Sequence, residues 1–181
     1  MNILVDIDDT ISNFGEVLIN ELNYIYGTSY NKVDMNNWEW LRNTFSNPWF
    51  PTEEKSFWNK ISINKTAIKL LENLSKNEEK VYLVTASFPN DCLGYKIRKT
   101  LENFNEKYIN ESNVVICYDK SLIKGDIRID DGIHNFCDDS LNILLTQPWN
   151  QSYDEKKSDI LIVRKNNWQE ISKLFDIYYR F

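Results

Sequence analysis

Two runs of carboxylates stand behind apolar segments. Asp6-Ile-Asp8-Asp9-Thr10 follows Asn2-Ile-Leu-Val, and Asp130-Asp131 closes Ile127-Arg-Ile-Asp130-Asp131. Carboxylates brought from two strand ends to one point repel unless something positive lies between them. A hard divalent cation with oxygen ligands is the usual resolution, and Mg²⁺ is the default when phosphate supplies further oxygens. Thr85 ends Val81-Tyr-Leu-Val-Thr85, where its hydroxyl could donate to a phosphoryl oxygen, with Ser87 just beyond. Lys120, after Asp119, could offset charge on a transferring phosphoryl group. Each has a plainer reading by itself: a solvated turn, a β-branched strand residue, an ordinary surface lysine. Their shared place at successive strand ends outweighs those readings.

The elements that must position these residues are legible as a pattern. Asn2–Asp6, Val81–Thr85, Val114–Cys117, Ile127–Asp130, Asn142–Leu145 and Ile160–Val163 read as strands, the first two as buried ones. Phe14, Val17, Leu18, Leu22 and Ile25 recur at helical spacing, with Gly27 as the stop. Ala67, Ile68, Leu71 and Leu74 mark another helix, followed by one over Asp91–Phe104 and one from Trp168 to Tyr178. Strands alternating with helices predict a mostly parallel sheet covered on both faces, with the ligand beyond the carboxyl ends of the strands.

The stretch from Thr28 to Asn64 breaks this alternation. It carries Pro48 and Pro51 and four of the six tryptophans, Trp38, Trp40, Trp49 and Trp58. It reads as an insertion of short helices whose large side chains supply a small core. One or two of its rings are expected to face the site and stack on a base; Trp38 and Trp40 are the candidates. The expected division is a core of residues 1–27 and 65–181 with a cap of 28–64.

Composition bounds the partners. The 181 residues are 42% hydrophobic, enough for a packed domain, and 14% aromatic. Lys+Arg is 21 against Asp+Glu 27, a net charge of −6. That balance argues against a polynucleotide partner, which needs a basic footprint, but not against a small phosphorylated ligand. Cys92, Cys117 and Cys137 lack CxxC spacing and read as reduced thiols of a cytosolic protein, with Cys92 and Cys117 as packing residues. The single histidine, His134, cannot build a His-rich metal site and reads as a surface residue at a helix start. The first strand begins almost at Met1, so no targeting segment is expected, and no apolar run approaches a membrane span. A cytoplasmic location is expected, and a homodimer is a candidate assembly.

Asp6-Ile-Asp-Asp-Thr10 after a first strand resembles the DxDxT signature of the haloacid dehalogenase superfamily of phosphatases. Thr85, Lys120 and Asp130-Asp131 stand in the order of that superfamily's later motifs. The finer resemblance is to the cytosolic-type 5′(3′)-deoxyribonucleotidases. It is carried by Val-Thr85-Ala-Ser, Cys92-Leu-Gly-Tyr-Lys96, Asp119-Lys120-Ser-Leu-Ile-Lys-Gly-Asp-Ile-Arg-Ile-Asp-Asp131 and Asn167-Trp168-Gln-Glu-Ile171. The resemblance implies a Rossmann-like α/β fold, a parallel sheet flanked by helices, with a small helical cap inserted after the first strand and helix.

It also implies roles. Asp6 would be the nucleophile that takes the phosphoryl group. Asp8 would protonate the leaving oxygen and then activate water, its backbone carbonyl ligating Mg²⁺. Asp6 and Asp131 would hold the metal directly, with Asp130 behind them. Thr85 and the Ala86 amide would bind phosphoryl oxygens, Lys120 would compensate charge, Phe14 would line the base pocket, and Lys96 joins the substrate-binding set. The chain departs from the family at Tyr118, where an Arg is usual, at Ala86-Ser87 in place of Ser-Pro, and at Asp9, where a smaller residue is common. The expected activity is Mg²⁺-dependent hydrolysis of small (deoxy)nucleoside monophosphates. The alternatives are a phosphatase for another small phosphorylated metabolite, and a non-enzymatic phospho-acceptor or nucleotide-binding module.

Overall fold

A computed structural model describes residues 1–86 and 92–178, apart from the side chains of Trp38 and Tyr178. Six strands run parallel in one sheet: β1 (Asn2–Asp6), β2 (Lys80–Thr85), β3 (Val114–Ile116), β4 (Ile127–Asp130), β5 (Leu141–Leu145) and β6 (Ile162–Lys165). Their order is β3-β2-β1-β4-β5-β6. β1 is central, and its Ile3, Leu4 and Val5 are almost wholly buried, as expected of a strand covered on both faces. The chain builds outward from β1 to β2 and β3, then crosses to β4 and builds the other half. That reversal opens a crevice at the carboxyl ends of β1 and β4, where Asp6 and Asp130 emerge.

Helices α1 (Phe14–Tyr26), α2 (Trp38–Thr44), α3 (Lys55–Asn59), α4 (Lys65–Lys76), α5 (Leu93–Leu101) and α6 (Trp168–Tyr178) flank the sheet. α1 ends at Gly27, whose φ of +66° is the left-handed stop its sequence predicts. Asn64 caps α4 by accepting from the Thr66 and Ala67 N–H groups at 2.9 and 3.1 Å. α4 packs on β2 and on α6, and α6 packs on β6. Among the described residues no helix is long and apolar enough to cross a membrane.

Several boundaries differ from the sequence expectation. The helix expected over Asp91–Phe104 runs Leu93–Leu101, with Asp91 outside the described residues, as is Ser87. β3 stops at Ile116, one residue before Cys117. β6 begins at Ile162 rather than Ile160, because pairing with β5 starts at Asn142↔Ile162 while Leu161 stays exposed.

One face of β4–β6 is closed by loops. Arg128 and Asp130 alternate with Ile127 and Ile129, so they occupy opposite faces of β4. On the Arg128 side, Phe136, Leu144 and Ile162 form a small separate cluster. Two buried polar residues stitch the loops over it. Arg128 donates to the carbonyls of Lys120 (3.0 Å), Asn135 (3.3 Å) and Ile123, and to the Ser140 hydroxyl (3.3 Å). Asn142 donates to the carbonyls of Cys137, Ser140 and Leu161.

The insertion contains α2, α3 and 3-10 turns at Lys32–Asp34 and Phe50–Glu53. It packs on α1, through both 3-10 turns and α3, while α3 also meets α5. Its Met35, Leu41, Phe45, Phe57 and Trp58 belong to the same buried cluster as the sheet residues, so it has no core of its own. The segment before α1 and the end of the insertion run side by side: Ser12 bridges Ile63, Asn13 N–H donates to the Ser62 carbonyl, and Asn64 N–H donates to the Ile11 carbonyl.

Candidate active site

Asp6, Asp130 and Asp131 are all buried, and a carboxylate oxygen from each lies within 4.8 Å of the others. Lys120, from the 3-10 turn Lys120–Leu122, inserts its ammonium between two of them, bonding Asp6 Oδ1 and, at 3.0 Å, Asp130 Oδ2. Burial works against the charged lysine, but Asp6 and Asp130 outweigh it and raise its pKa. The carboxylates remain undercompensated. Burial and then the charge of Asp6 push the pKa of Asp130 upward, and the same causes, with Asp130 and Asp9 added, push Asp131 well above the usual range. An all-oxygen donor set with surplus negative charge and little water suits a hard divalent cation, so these residues fit Mg²⁺.

The two aspartates of the pair are held differently. Asp130 accepts from the Gly132 N–H (2.7 Å), from Lys120, and from Asn135 Nδ2 at 3.0 Å to each oxygen. Asp131 accepts the Thr10 hydroxyl at 3.1 Å on Oδ1 and the Trp149 indole N–H at 2.6 Å on Oδ2. Asp130 is therefore the more saturated of the two.

Asp8 stands outside that cluster, though it borders the same cavity. Its Oδ2 receives Lys96 Nζ at 2.5 Å, from a lysine that is 1% exposed. Burial raises the Asp8 pKa, Lys96 counteracts, and Asp6 adds to the rise. Lys96 was expected among substrate-binding residues. Among the described residues it does not line the cavity, and its ammonium is engaged with Asp8 instead.

Asp9 has a positive φ of 54° and no exposed side-chain surface. Its carboxylate accepts the Gly15 N–H in the first turn of α1 (2.9 and 3.0 Å) and pairs with Lys32 Nζ at 2.6 Å. A Cβ on Gly15 would lie 2.8 Å from Asp9 Oδ2, so the glycine is what permits this approach. The larger residue in the Asp6–Thr10 loop thus anchors α1 and Lys32. Burial lifts its pKa to about 6 despite Lys32.

A cavity of about 410 Å³ opens over these groups. Asp6, Asp8, Lys120 and Asp131 form its floor, and Phe14, Glu39, Arg42 and Trp49 face them from α1 and the insertion. Ala86, Tyr118 and His134 also border it, and His134 is exposed on the 3-10 turn Ile133–Asn135. Thr85 is buried beside Ala86, its hydroxyl reaching the Ala86 carbonyl at 3.4 Å, a contact weak enough to exchange for a better acceptor. Phe14 lines the cavity but also packs edge-on against Phe57 at 5.6 Å and tilted against Trp58 at 5.9 Å.

The insertion's two stacking candidates, Trp40 and Trp38, are placed differently. Trp40 packs T-shaped on Tyr30 (5.1 Å) and Phe45 (5.9 Å) and does not border the cavity. The Trp38 side chain lies outside the described residues. Trp49 is the described insertion tryptophan that lines the cavity.

Several supports were not singled out from the sequence. Arg128 binds the main chain of Lys120 and Asn135, two residues whose side chains grip Asp130. Trp168 donates its indole N–H to the Thr10 carbonyl at 2.7 Å, tying α6 to the Asp6–Thr10 loop. Gln147, Trp149 and Asn150 reach the same loops from beyond β5. Only Arg128 left a signal: a charge inside an apolar strand needs buried acceptors.

The sequence matches, over residues 1–180, the family described as 5′ nucleotidase, deoxy (pyrimidine), cytosolic type C protein. It is 35% identical over 106 residues to the 5′(3′)-deoxyribonucleotidases of Bacillus subtilis (strain 168) and Bacillus phage SPbeta. That alignment covers 58% of this chain and 57% of each relative, so the chain spans little more than half the length of the curated relatives it matches. In fold it is similar to the HAD hydrolase, family IA, variant 3, from Entamoeba histolytica HM-1:IMSS. There the TM-score is 0.59 at 14% identity, covering 97% of this chain and 98% of the other.

Proposed function

The chain belongs to the 5′ nucleotidase, deoxy (pyrimidine), cytosolic type C family, and from that premise we propose that it hydrolyses the phosphomonoester of (deoxy)nucleoside monophosphates through an aspartyl-phosphate on Asp6. The observation that carries this reading is the division of labour between Asp6 and Asp8. Asp6, bonded to Lys120, belongs to the carboxylate cluster. Asp8, two residues on, stands outside that cluster but borders the same cavity, held by Lys96 and with a raised pKa.

In the proposed reaction a carboxylate oxygen of Asp6 attacks phosphorus and the phosphorus–nucleoside oxygen bond breaks. Asp8, protonated as its raised pKa favours, gives its proton to the departing oxygen. Asp8, now ionised and held by Lys96, takes a proton from water as that water attacks the phosphoaspartate, releasing phosphate and restoring Asp6. The Thr85 hydroxyl and the Ala86 N–H would hold phosphoryl oxygens, and Lys120 would balance charge that Asp6 loses and regains. Asp6, Asp131 and the Asp8 carbonyl would hold Mg²⁺, with Asp130 behind them. When bound, the cation would neutralise the facing carboxylates and phosphoryl oxygens as the phosphate approaches.

The insertion 28–64 would act as the cap, together with α1, since the paired segments at Ser12 and Ile63 are where α1 and the insertion leave and rejoin the sheet domain. Trp49 and Phe14, facing Asp6 across the cavity, favour a base over an aliphatic phosphate ester. A phosphate-release panel of 3′- and 5′-monophosphates of ribo- and deoxynucleosides with Mg²⁺ tests the reading. Turnover concentrated on deoxynucleotides is expected, and preference for sugar phosphates would overturn the nucleotide assignment.

A further inference from the structure

The turn after β5, Gln147-Pro148-Trp149-Asn150, touches both acid-bearing loops, although it contributes no carboxylate itself. Gln147 Nε2 donates to the Asp9 carbonyl at 2.5 Å. Asn150 Nδ2 donates to the Asp131 carbonyl at 3.0 Å and to the Leu145 carbonyl at 2.9 Å, fixing the Asp131 main chain to the end of β5. Trp149 takes the Asp131 side chain, its indole N–H lying 2.6 Å from Oδ2. From the other side, Lys32 of the insertion places its ammonium 5.3 Å from the centre of the Trp149 ring while bonding Asp9 at 2.6 Å. Lys32 therefore seats the indole and fastens the insertion to the nucleophile loop in one contact.

We infer that Trp149 is the positioning residue for Asp131, fixing the carboxylate orientation through which this chain holds its divalent cation. An indole N–H is a single donor with a fixed direction and no acceptor character. With the Thr10 hydroxyl on Oδ1 and the indole on Oδ2, Asp131 cannot rotate about its side-chain bonds without losing a buried hydrogen bond. Each oxygen keeps a second lone pair for a cation. Partners of this kind orient ligating carboxylates, and removing one typically costs about 10–100-fold in metal affinity. This inference rests on the proposed function only in taking Asp131 as a metal-holding carboxylate.

The test is a calorimetric titration of the metal-free full chain with Mg²⁺ alone, alongside Mg²⁺-dependent phosphate release. Trp149→Phe keeps a ring beneath Lys32 and deletes the N–H. It is expected to weaken Mg²⁺ binding about 10–100-fold, to shift the Mg²⁺ requirement of turnover by the same factor, and to leave kcat at saturating Mg²⁺ within about threefold. Trp149→His, which restores a ring N–H, should recover part of the affinity and guards against a loss due to misfolding. Unchanged Mg²⁺ affinity in Trp149→Phe, an equal loss in both variants, or a kcat defect that excess Mg²⁺ does not relieve would each overturn the inference. Asp131→Asn separates the two levels: if it binds Mg²⁺ like wild type, the assignment of Asp131 fails, whatever Trp149 does.

Discussion

Lys96 donates to Asp8 Oδ2 at 2.5 Å from α5, with its own side chain almost completely buried. A buried ammonium beside a half-buried carboxylate holds that carboxylate in place and favours its ionised form, against the desolvation that raises its pKa. In the proposed reaction this pair would let one group serve first as acid and then as base.

Lys96→Met should therefore slow the second half of the reaction more than the first. Without Lys96 the Asp8 pKa rises further, so the acidic limb of the kcat–pH profile moves to higher pH. Phosphoenzyme should accumulate in a rapid acid quench, with kcat at neutral pH down by about 100-fold, the lower end of general acid–base contributions. An unmoved pH profile would remove Lys96 from this role.

Arg128→Met should damage stability and turnover together. It strips a donor from the buried carbonyls of Lys120, Ile123 and Asn135. At about 1–3 kcal/mol per orphaned group, the loss should reach about 3 kcal/mol or more. Calorimetry should show a thermal midpoint lower by roughly 6–12 °C. Loss of less than about 1 kcal/mol would show that the loops over this face do not depend on it.

Metal-free protein should be more stable at mildly acidic pH than at neutrality. Asp8, Asp9, Asp130 and Asp131 all have raised pKa values, Asp9 to about 6 against an ordinary 3.8. The folded state then binds more protons than the unfolded chain between those values, so stability is gained as pH falls through the folded pKa and lost as it rises. At about 1.4 kcal/mol per pKa unit, Asp9 alone contributes on the order of 3 kcal/mol. Thermal midpoints should rise by several degrees from pH 7 to pH 5, and saturating Mg²⁺ should flatten that slope. A midpoint that falls steadily over the same range would contradict the buried-carboxylate account.

Trp49→Ala is the informative cut on the base side. Phe14 packs against Phe57 and Trp58 and is 1% exposed, so truncating it would cost about 3–5 kcal/mol of stability and blur any effect on binding. Trp49 is half-buried and borders the cavity. Losing a stacked base, worth ~1–3 kcal/mol, should raise KM for a nucleoside monophosphate about five- to 150-fold. KM for a simple aryl phosphate should change far less, and equal losses for both would refute base stacking.

Much of this architecture was readable in the chain. β1 is a continuous apolar run ended by Asp6, Gly27 stops α1, and the acidic and basic groups stand behind successive strands. What was not readable depends on side-chain direction and on turn conformation. Aromatic character drew attention to Trp40, but only packing shows that its ring faces Tyr30 and Phe45. Nothing in Gln147-Pro148-Trp149-Asn150 shows that its indole meets a carboxylate 18 residues earlier, since a 3-10 turn and the β4–β5 register together bring them into contact. Lys96 was grouped with substrate contacts through the family resemblance of Cys92–Lys96, while its burial against Asp8 arises from the way α5 packs.

Trapping the phosphoenzyme is the measurement closest to the central claim. Asp8→Asn, incubated with Mg²⁺ and a deoxynucleoside monophosphate or an activated aryl phosphate, should be quenched in acid and its peptides mapped by mass spectrometry. The account predicts one added phosphoryl group on Asp6, absent from Asp6→Asn, which should also release no phosphate. Phosphate release by Asp6→Asn within a few-fold of wild type, or a phosphoryl group found elsewhere than on Asp6, would contradict it.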